Sequence, residues 1–144
     1  MLVTFSFMPI VVVLSGSMEP AYYRGDLLIS INYPWRDMQP GDVEIFKSPH
    51  REISIVHRIA RIHGTIADGN AKYLTKGDNN DVDDISFYQR GSMWLTPEHV
   101  QGTILMYFPS VGYFSILMND YPQLKYALLA ALALTVLLTR GDSN

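Results

Sequence analysis

The segment REISIVHRIARIHG, residues 51–64, constrains the fold more than any other part of the sequence. Its residues alternate with period two between two faces, which is the repeat of a β-strand, and β-branched side chains dominate it. One predicted face carries Ile53, Ile55, His57 and Ile59, and the other carries Ser54, Val56, Arg58, Ala60 and Ile62. The segment therefore predicts a long strand whose apolar face includes a single histidine.

Shorter β-compatible segments lie on both sides of this strand. GDLLISI and GDVEIF each begin with the turn signal Gly-Asp, and AKYLTKGDNN ends in a polar turn. SMWLTPEHV and GTILMYF supply the last predicted strands. We expect a mainly β core over residues 10–108, in a chain whose 144 residues suit one domain.

The N-terminal stretch MLVTFSFMPIVVVL, residues 1–14, is apolar but interrupted by Thr4, Ser6 and Pro9. It is shorter than the roughly 20 apolar residues that a bilayer span requires. We interpret residues 10–14 as a buried strand. Residues 1–9 are compatible with the remnant of an N-terminal membrane helix.

The C-terminal segment is more strongly apolar, since Thr135 is the one polar residue between positions 126 and 138. Its alanines and leucines predict a helix about 20 Å long, shorter than the ~30 Å hydrocarbon core. A helix apolar on all sides favours contact with a membrane or a partner. The sequence thus divides into a β domain, residues 1–110, and a C-terminal hydrophobic helical segment, residues 111–144.

Composition excludes several kinds of site. The chain has no cysteine, so disulfides, cysteine–zinc sites and cysteine nucleophiles are excluded. Its basic residues are scattered and its net charge is −3, so we expect no nucleic-acid partner. The acidic segment KGDNNDVDD, residues 76–84, fits no EF-hand register. We therefore expect no metal and no cofactor.

Three features together could perform hydrolysis. Ser17 in LSGSMEP could be a nucleophile, His57 a general base, and an aspartate of KGDNNDVDD the group that orients the histidine. Each alone is more often a turn serine, a core histidine or a solvated acidic turn. Gly16 would let a substrate backbone approach closely, and Ser15 could direct its hydroxyl at an oxyanion beside the Ser17 N–H.

SGSMEP, RGDLL, GDVEIF, IVHR and KGDNNDVDD, in this order, resemble the ordered sequence boxes of the signal peptidase I family. The histidine of IVHR, where bacterial members carry lysine, is similar to the endoplasmic-reticulum type. The tail ILMNDYPQLKYALL resembles the catalytic subunits of the eukaryotic signal peptidase complex. The resemblance extends over nearly the whole chain, and five boxes in order are far more specific than one.

The resemblance implies a signal-peptidase-like β core with a C-terminal hydrophobic helix. It also implies a serine endopeptidase that removes signal peptides from secretory and membrane preproteins, cutting after small residues through an acyl-enzyme. By motif, Ser17 matches the nucleophile, His57 the general base and Ser15 the oxyanion-hole helper beside Ser17. Asp84 matches the third catalytic group, with Asp78 as the less favoured candidate for that role.

The resemblance further implies where the protein works and with what. Its partners would be signal-peptide-bearing preproteins, the accessory subunits of the signal peptidase complex and membrane lipid. Its location would be the endoplasmic-reticulum membrane, with the catalytic domain facing the lumen. The alternative is a truncated, non-catalytic binding subunit or paralogue of that complex. A self-cleaving regulator of related β architecture is disfavoured, since such proteins use a Ser-Lys pair and need a DNA-binding domain.

Overall fold

The computed structural model describes residues 10–32, 36–49, 53–88 and 90–141. A single antiparallel sheet of six strands forms its centre, in the spatial order β1-β2-β6-β3-β4-β5. The strands are β1 Ile10–Val12, β2 Leu27–Ile31, β3 Val43–Lys47, β4 Ser54–His63, β5 Lys72–Lys76 and β6 Val100–Phe108. The prediction of a mainly β fold is confirmed. The suggested remnant of a membrane helix, residues 1–9, lies outside the described residues.

β4 follows the predicted alternation only over its first half. Ile55, His57 and Ile59 are buried on one face, as expected. The pairing of β4 with β5 then shifts between Ile59 and Arg61. A one-residue shift reverses the faces of all later residues, because side chains alternate along a strand. Ile62 consequently packs against the core, and its assignment to the opposite face was wrong.

The hydrophobic core lies on the His57 side of the sheet. It joins residues of β3, β4 and β5 with one residue just before β5 and two residues from the long connection between β5 and β6. Its buried members are Phe46, Ile55, Ile59, Ala71, Tyr73, Tyr88 and Leu95. His57, the candidate catalytic residue of β4, therefore lies beside closely packed side chains, which limits its movement.

The segment SMWLTPEHV does not form the predicted strand. Leu95 makes an isolated bridge with Tyr73, and Pro97–His99 is a short 3-10 helix. Proline lacks a backbone N–H and fixes φ, so Pro97 suits the first position of a helix and ends strand pairing. The following residues then enter β6, which lies between β2 and β3.

Two helices follow the sheet: α1 Tyr113–Asp120 and α2 Pro122–Gly141. At 20 residues, α2 is about 30 Å long, so the predicted length of about 20 Å was too short. Its span Pro122–Arg140 is long and apolar enough to cross a membrane, and none of it is buried. The apolar residues of α2, followed by Arg140 in its last turn, suit contact with lipid.

A compact junction ties α1 to the start of β2. The Gly112 N–H donates to the Gly25 carbonyl at 2.8 Å, and Gly25 adopts φ +94° beneath the Tyr113 ring. The buried Asp26 carboxylate accepts from the backbone N–H of Tyr23 and of Ser110. Any Cβ at Gly25 would lie 2.2 Å from the Tyr113 ring, so the junction requires glycine there.

Candidate active site

The loop that leaves edge strand β1 carries Ser15, Gly16 and Ser17. Ser15 is exposed, Ser17 is half-buried, and their hydroxyl oxygens are 3.2 Å apart. The Glu19 N–H donates to the Gly16 carbonyl and closes a tight turn. A Cβ at Gly16 would lie 2.9 Å from Glu19 Oε1. The Glu19 carboxylate occupies the space beside this glycine, and the close approach of a substrate backbone to Gly16 stays a prediction.

His57 connects this loop to the interior. Its ring is buried in the middle of β4, with Nε2 3.0 Å from Ser17 Oγ and Nδ1 2.7 Å from Asp84 Oδ2. An ionised carboxylate can only accept hydrogen bonds, so Nδ1 carries the proton in the neutral ring. Nε2 is then an acceptor for the hydroxyl hydrogen of Ser17. This tautomer is the one that can remove a proton from the serine.

Asp84 is fully buried and immediately precedes the 3-10 helix Ile85–Phe87. Its Oδ2 also accepts from Thr75 Oγ1 at 2.7 Å, while Oδ1 has no hydrogen-bond partner among the described residues. The Asp84 N–H donates to the Thr75 carbonyl, which fixes the backbone as well. Both side-chain hydrogen bonds to this carboxylate are therefore made by Oδ2, the oxygen that contacts His57.

Tyr88 extends this network by one step. Its phenol oxygen accepts from the Thr75 N–H at 2.8 Å and lies 2.9 Å from Thr75 Oγ1. Burial raises the pKa of Tyr88 to about 12, so the phenol keeps its proton and can donate to the Thr75 hydroxyl. The Thr75 hydrogen is thereby directed to Asp84. Tyr88 and Thr75 together orient the aspartate that contacts the histidine.

Asp78 has a different position from Asp84. It accepts two hydrogen bonds from the Arg58 guanidinium, at 2.9 and 2.8 Å, and Arg58 also donates to the Gly41 carbonyl. The hydrogen bonds that Arg58 donates to Asp78 raise the pKa of Arg58, which stays charged. Of the two aspartates left open by the sequence, Asp84 is the one that contacts His57. Asp78 binds Arg58, which joins the acidic segment to β4 and, through the Gly41 carbonyl, to the turn before β3.

Asn79 and Gly77 hold the serine loop from the same acidic segment. The Asn79 N–H donates to the Ser17 carbonyl at 2.9 Å, and its side-chain amide donates to the Gly16 carbonyl at 3.0 Å. A Cβ on Gly77 would approach the Ser17 carbonyl to 2.6 Å. The segment KGDNN therefore fixes the backbone of the nucleophile candidate by direct contact.

Sequence reasoning did not identify Thr75, Tyr88 or Asn79 as parts of this site. Thr75 lies in a predicted strand and Asn79 in a predicted turn, where both residue types are common. The period-two spacing of Tyr73 and Thr75 in KYLTK, which puts both residues on one face of a strand, is a signal that could have pointed to Thr75. Among the residues that the structure describes, no three metal-ligating side chains come together.

Comparison with known proteins identifies the family of this chain. The human signal peptidase complex catalytic subunit SEC11C is 50% identical over 137 residues, which cover 95% of this chain and 71% of that protein. The corresponding sec11 subunit of Dictyostelium discoideum is 50% identical over 132 residues, covering 92% of this chain and 73% of the relative. This chain belongs to the family of signal peptidase complex catalytic subunits.

Two further matches support membership in this family. The catalytic subunit SEC11 of Schizophyllum commune is 45% identical over 146 residues, covering 92% of this chain and 76% of the relative. The family model described as the signal peptidase C-terminal short helix matches residues 114–138, which lie in α1 and α2. The similarity therefore includes the apolar C-terminal helices as well as the sheet.

Proposed function

We propose that this chain removes signal peptides from secretory and membrane preproteins as a serine endopeptidase. Membership in the signal peptidase catalytic subunit family supports the activity. The observation that carries the residue assignment is the continuous series of hydrogen bonds from Ser17 Oγ through His57 to Asp84, with lengths of 3.0 and 2.7 Å. Ser17 is the nucleophile, His57 the general base and Asp84 the group that orients it.

The reaction proceeds through an acyl-enzyme. Ser17 Oγ attacks the scissile carbonyl carbon while His57 Nε2 takes the hydroxyl proton, and the imidazolium is stabilised by Asp84. In this proposal the oxyanion accepts from the Ser17 N–H and from the hydroxyl of Ser15, which lies 3.2 Å from Ser17 Oγ. His57 then gives its proton to the leaving amine as the amide bond breaks. A water molecule then attacks the ester carbonyl while His57 takes one of its protons, and His57 returns that proton to Ser17 Oγ as the ester bond breaks.

The substrate binds as an extended strand. β1 is an edge strand of the sheet and continues directly into the serine loop. An extended peptide can add to such an edge, where alternate side chains enter shallow pockets on one face. Small residues at the −1 and −3 positions of a signal peptide fit this arrangement.

In this proposal the protein lies in the endoplasmic-reticulum membrane, with the sheet on the lumenal side. Residues 1–110 form the catalytic domain and residues 111–144 the membrane segment in this proposal. The exposed apolar surface of α2 supports lipid contact, and the relatives' description as subunits of a complex supports accessory partner subunits. These two contacts bring the serine loop close to the hydrophobic segment of a bound preprotein.

The test is cleavage of a preprotein by the chain assembled with its partner subunits in membranes. We expect Ser17→Ala and His57→Ala each to lower kcat by about 10⁴ or more, since such groups act as a unit. Ser54→Ala and His63→Ala are matched controls: both residues lie on β4, and His63 is exposed. Near-normal cleavage by Ser17→Ala would contradict the proposed nucleophile, and a non-catalytic subunit would show no loss in any variant.

A further inference from the structure

Glu44 is a buried carboxyl group that the proposed Ser17–His57–Asp84 system does not use. It lies in the middle of β3, which pairs with β4 on one side and β6 on the other. Its side chain has no exposed surface. Glutamate is rarely buried so completely unless it is paired, so this position requires an explanation.

The pairing of β3 with β4 places Glu44 directly opposite His57. Side chains of directly opposite residues in an antiparallel pair project from the same face, with their Cβ atoms about 5 Å apart. Phe46, two residues further along β3, lies on that face too, and its ring centroid is 6.5 Å from the centre of the His57 ring. Glu44 and His57 therefore share one buried environment.

The charge of Glu44 is poorly compensated there. Among the described residues its hydrogen-bond donor is Thr103, whose single hydroxyl lies 2.9 and 3.0 Å from the two carboxylate oxygens. One hydroxyl hydrogen cannot satisfy both oxygens fully. Burial raises the pKa of Glu44 to about 7, against the lowering effect of the Thr103 hydrogen bond. The carboxyl thus changes charge in the range where peptidases usually work.

The charged and titratable groups around Glu44 come from several elements. Asp42, immediately before β3, raises the pKa of Glu44, and Arg36, earlier in the same loop, lowers it. Tyr73 of β5 is close enough for an electrostatic effect, since burial, Asp37 and Glu44 raise the pKa of its phenol. β6 contributes the uncharged Thr103, and β4 contributes His57. Only His57 among these groups gains a charge during the proposed reaction.

We propose that Glu44 is a positioning residue for His57: as a carboxylate on the neighbouring strand, it stabilises the imidazolium that forms when Ser17 is deprotonated. The inference rests on the proposed catalytic function. A negative charge on the shared face makes the His57 ring hold its proton more strongly. Turnover then depends on two coupled protons, one on His57 and one on Glu44.

The test is the pH profile of kcat/KM for preprotein cleavage by the membrane-embedded complex between pH 5 and 9. Glu44→Gln keeps the shape of the side chain and removes its charge, so we expect the acidic limb to move to lower pH by about half a unit or more. Glu98→Gln is the matched control, because its carboxylate is 76% exposed. We expect the limb of that variant to match the wild type.

Two further variants keep the test decisive. Glu44→Asp retains the charge and should keep the acidic limb near the wild-type position. If Glu44 had a purely structural role, the acidic limb of Glu44→Asp would resemble that of Glu44→Gln. If Glu44→Gln does not fold, Thr103→Val replaces it, because removing the donor disfavours the carboxylate and moves the limb in the same direction. An unchanged limb in a folded Glu44→Gln or Thr103→Val enzyme would overturn the inference.

Failure of this inference can be distinguished from failure of the proposed function. Cleavage that survives Ser17→Ala would show that the catalytic residues are wrongly assigned, whatever the Glu44 variants do. Cleavage that is abolished by Ser17→Ala but has the same acidic limb with glutamate or glutamine at position 44 would reject the role of Glu44 alone.

Discussion

Asp84 and Asp78 belong to the same short acidic segment but occupy opposite surroundings. The Asp84 side chain is 1% exposed and contacts His57 and Thr75, whereas the Asp78 side chain is 22% exposed and pairs with Arg58. In the low-dielectric interior, a carboxylate affects a neighbouring proton far more strongly than one near water does. The comparison teaches that two aspartates of one turn can serve chemistry and scaffolding separately, according to burial.

The largest effect that separates the two carboxylates is on turnover. Asp84→Asn leaves the shape of the site intact but allows the His57 ring to adopt the wrong tautomer, so we expect kcat to fall by about 10³ to 10⁴. Asp78→Asn makes the same chemical change at the exposed position and should lower kcat by less than about tenfold. Preprotein cleavage under saturating substrate measures both. Equal losses in the two variants would remove the functional distinction.

Glu44 extends the comparison to a buried carboxyl that contacts no cationic side chain among the residues that the structure describes. Burial raises its pKa in the folded chain to about 7 from the ordinary 4.5, so the folded state binds the proton more tightly. The resulting stabilisation is present in full below pH 4.5 and is lost as the pH rises to about 7. It amounts to about 3 kcal/mol.

We therefore expect Glu44→Gln to be more stable than the wild type at pH 8 and to depend less on pH between 5 and 8. Thermal unfolding of the chain in detergent at pH 5, 6.5 and 8 measures this difference. Glu98→Gln controls for the loss of one negative charge at an exposed position. Parallel stability curves for the wild type and Glu44→Gln would contradict the expectation.

The smallest expected effect concerns the hydrogen bonds that hold the buried Asp84 carboxylate. Thr75→Val removes the donor to Asp84 Oδ2 and the acceptor of the Tyr88 phenol, so we expect the free energy of unfolding to fall by about 1–3 kcal/mol. Thr135→Val is the matched control on the exposed surface of α2 and should change stability by less than about 0.5 kcal/mol. Equal stability of Thr75→Val and wild type would show that the network contributes little.

Much of the fold could be predicted because it depends on local patterns. The alternation in residues 51–64 was enough to place Ile55, His57 and Ile59 on the core face. The bulge after Ile59 could not be predicted, since it depends on how β5 pairs with β4. The full length of α2 was missed because only uninterrupted apolar residues were counted, whereas the helix begins at Pro122.

The site could be predicted only in part. Ordered motifs indicated Ser17, His57 and the two aspartates, because these residues carry recognisable chemistry. The hydrogen bonds of Thr75 and Asn79 cross between segments that are distant in sequence, so no local pattern marks them. The choice between Asp84 and Asp78 likewise requires knowing which of them enters the interior.

The junction between α1 and β2 has a practical consequence for handling the enzyme without detergent. Tyr113 covers Gly25, Ile116 is buried, and Asp120 lies 3.7 Å from Arg24. The helix α1 is therefore packed against the residues that precede β2. α2 has no buried residue in the span Pro122–Arg140. A chain shortened after Asp120 would keep these contacts and remove the exposed apolar surface of α2. Ending it before Tyr113 would remove the contacts as well.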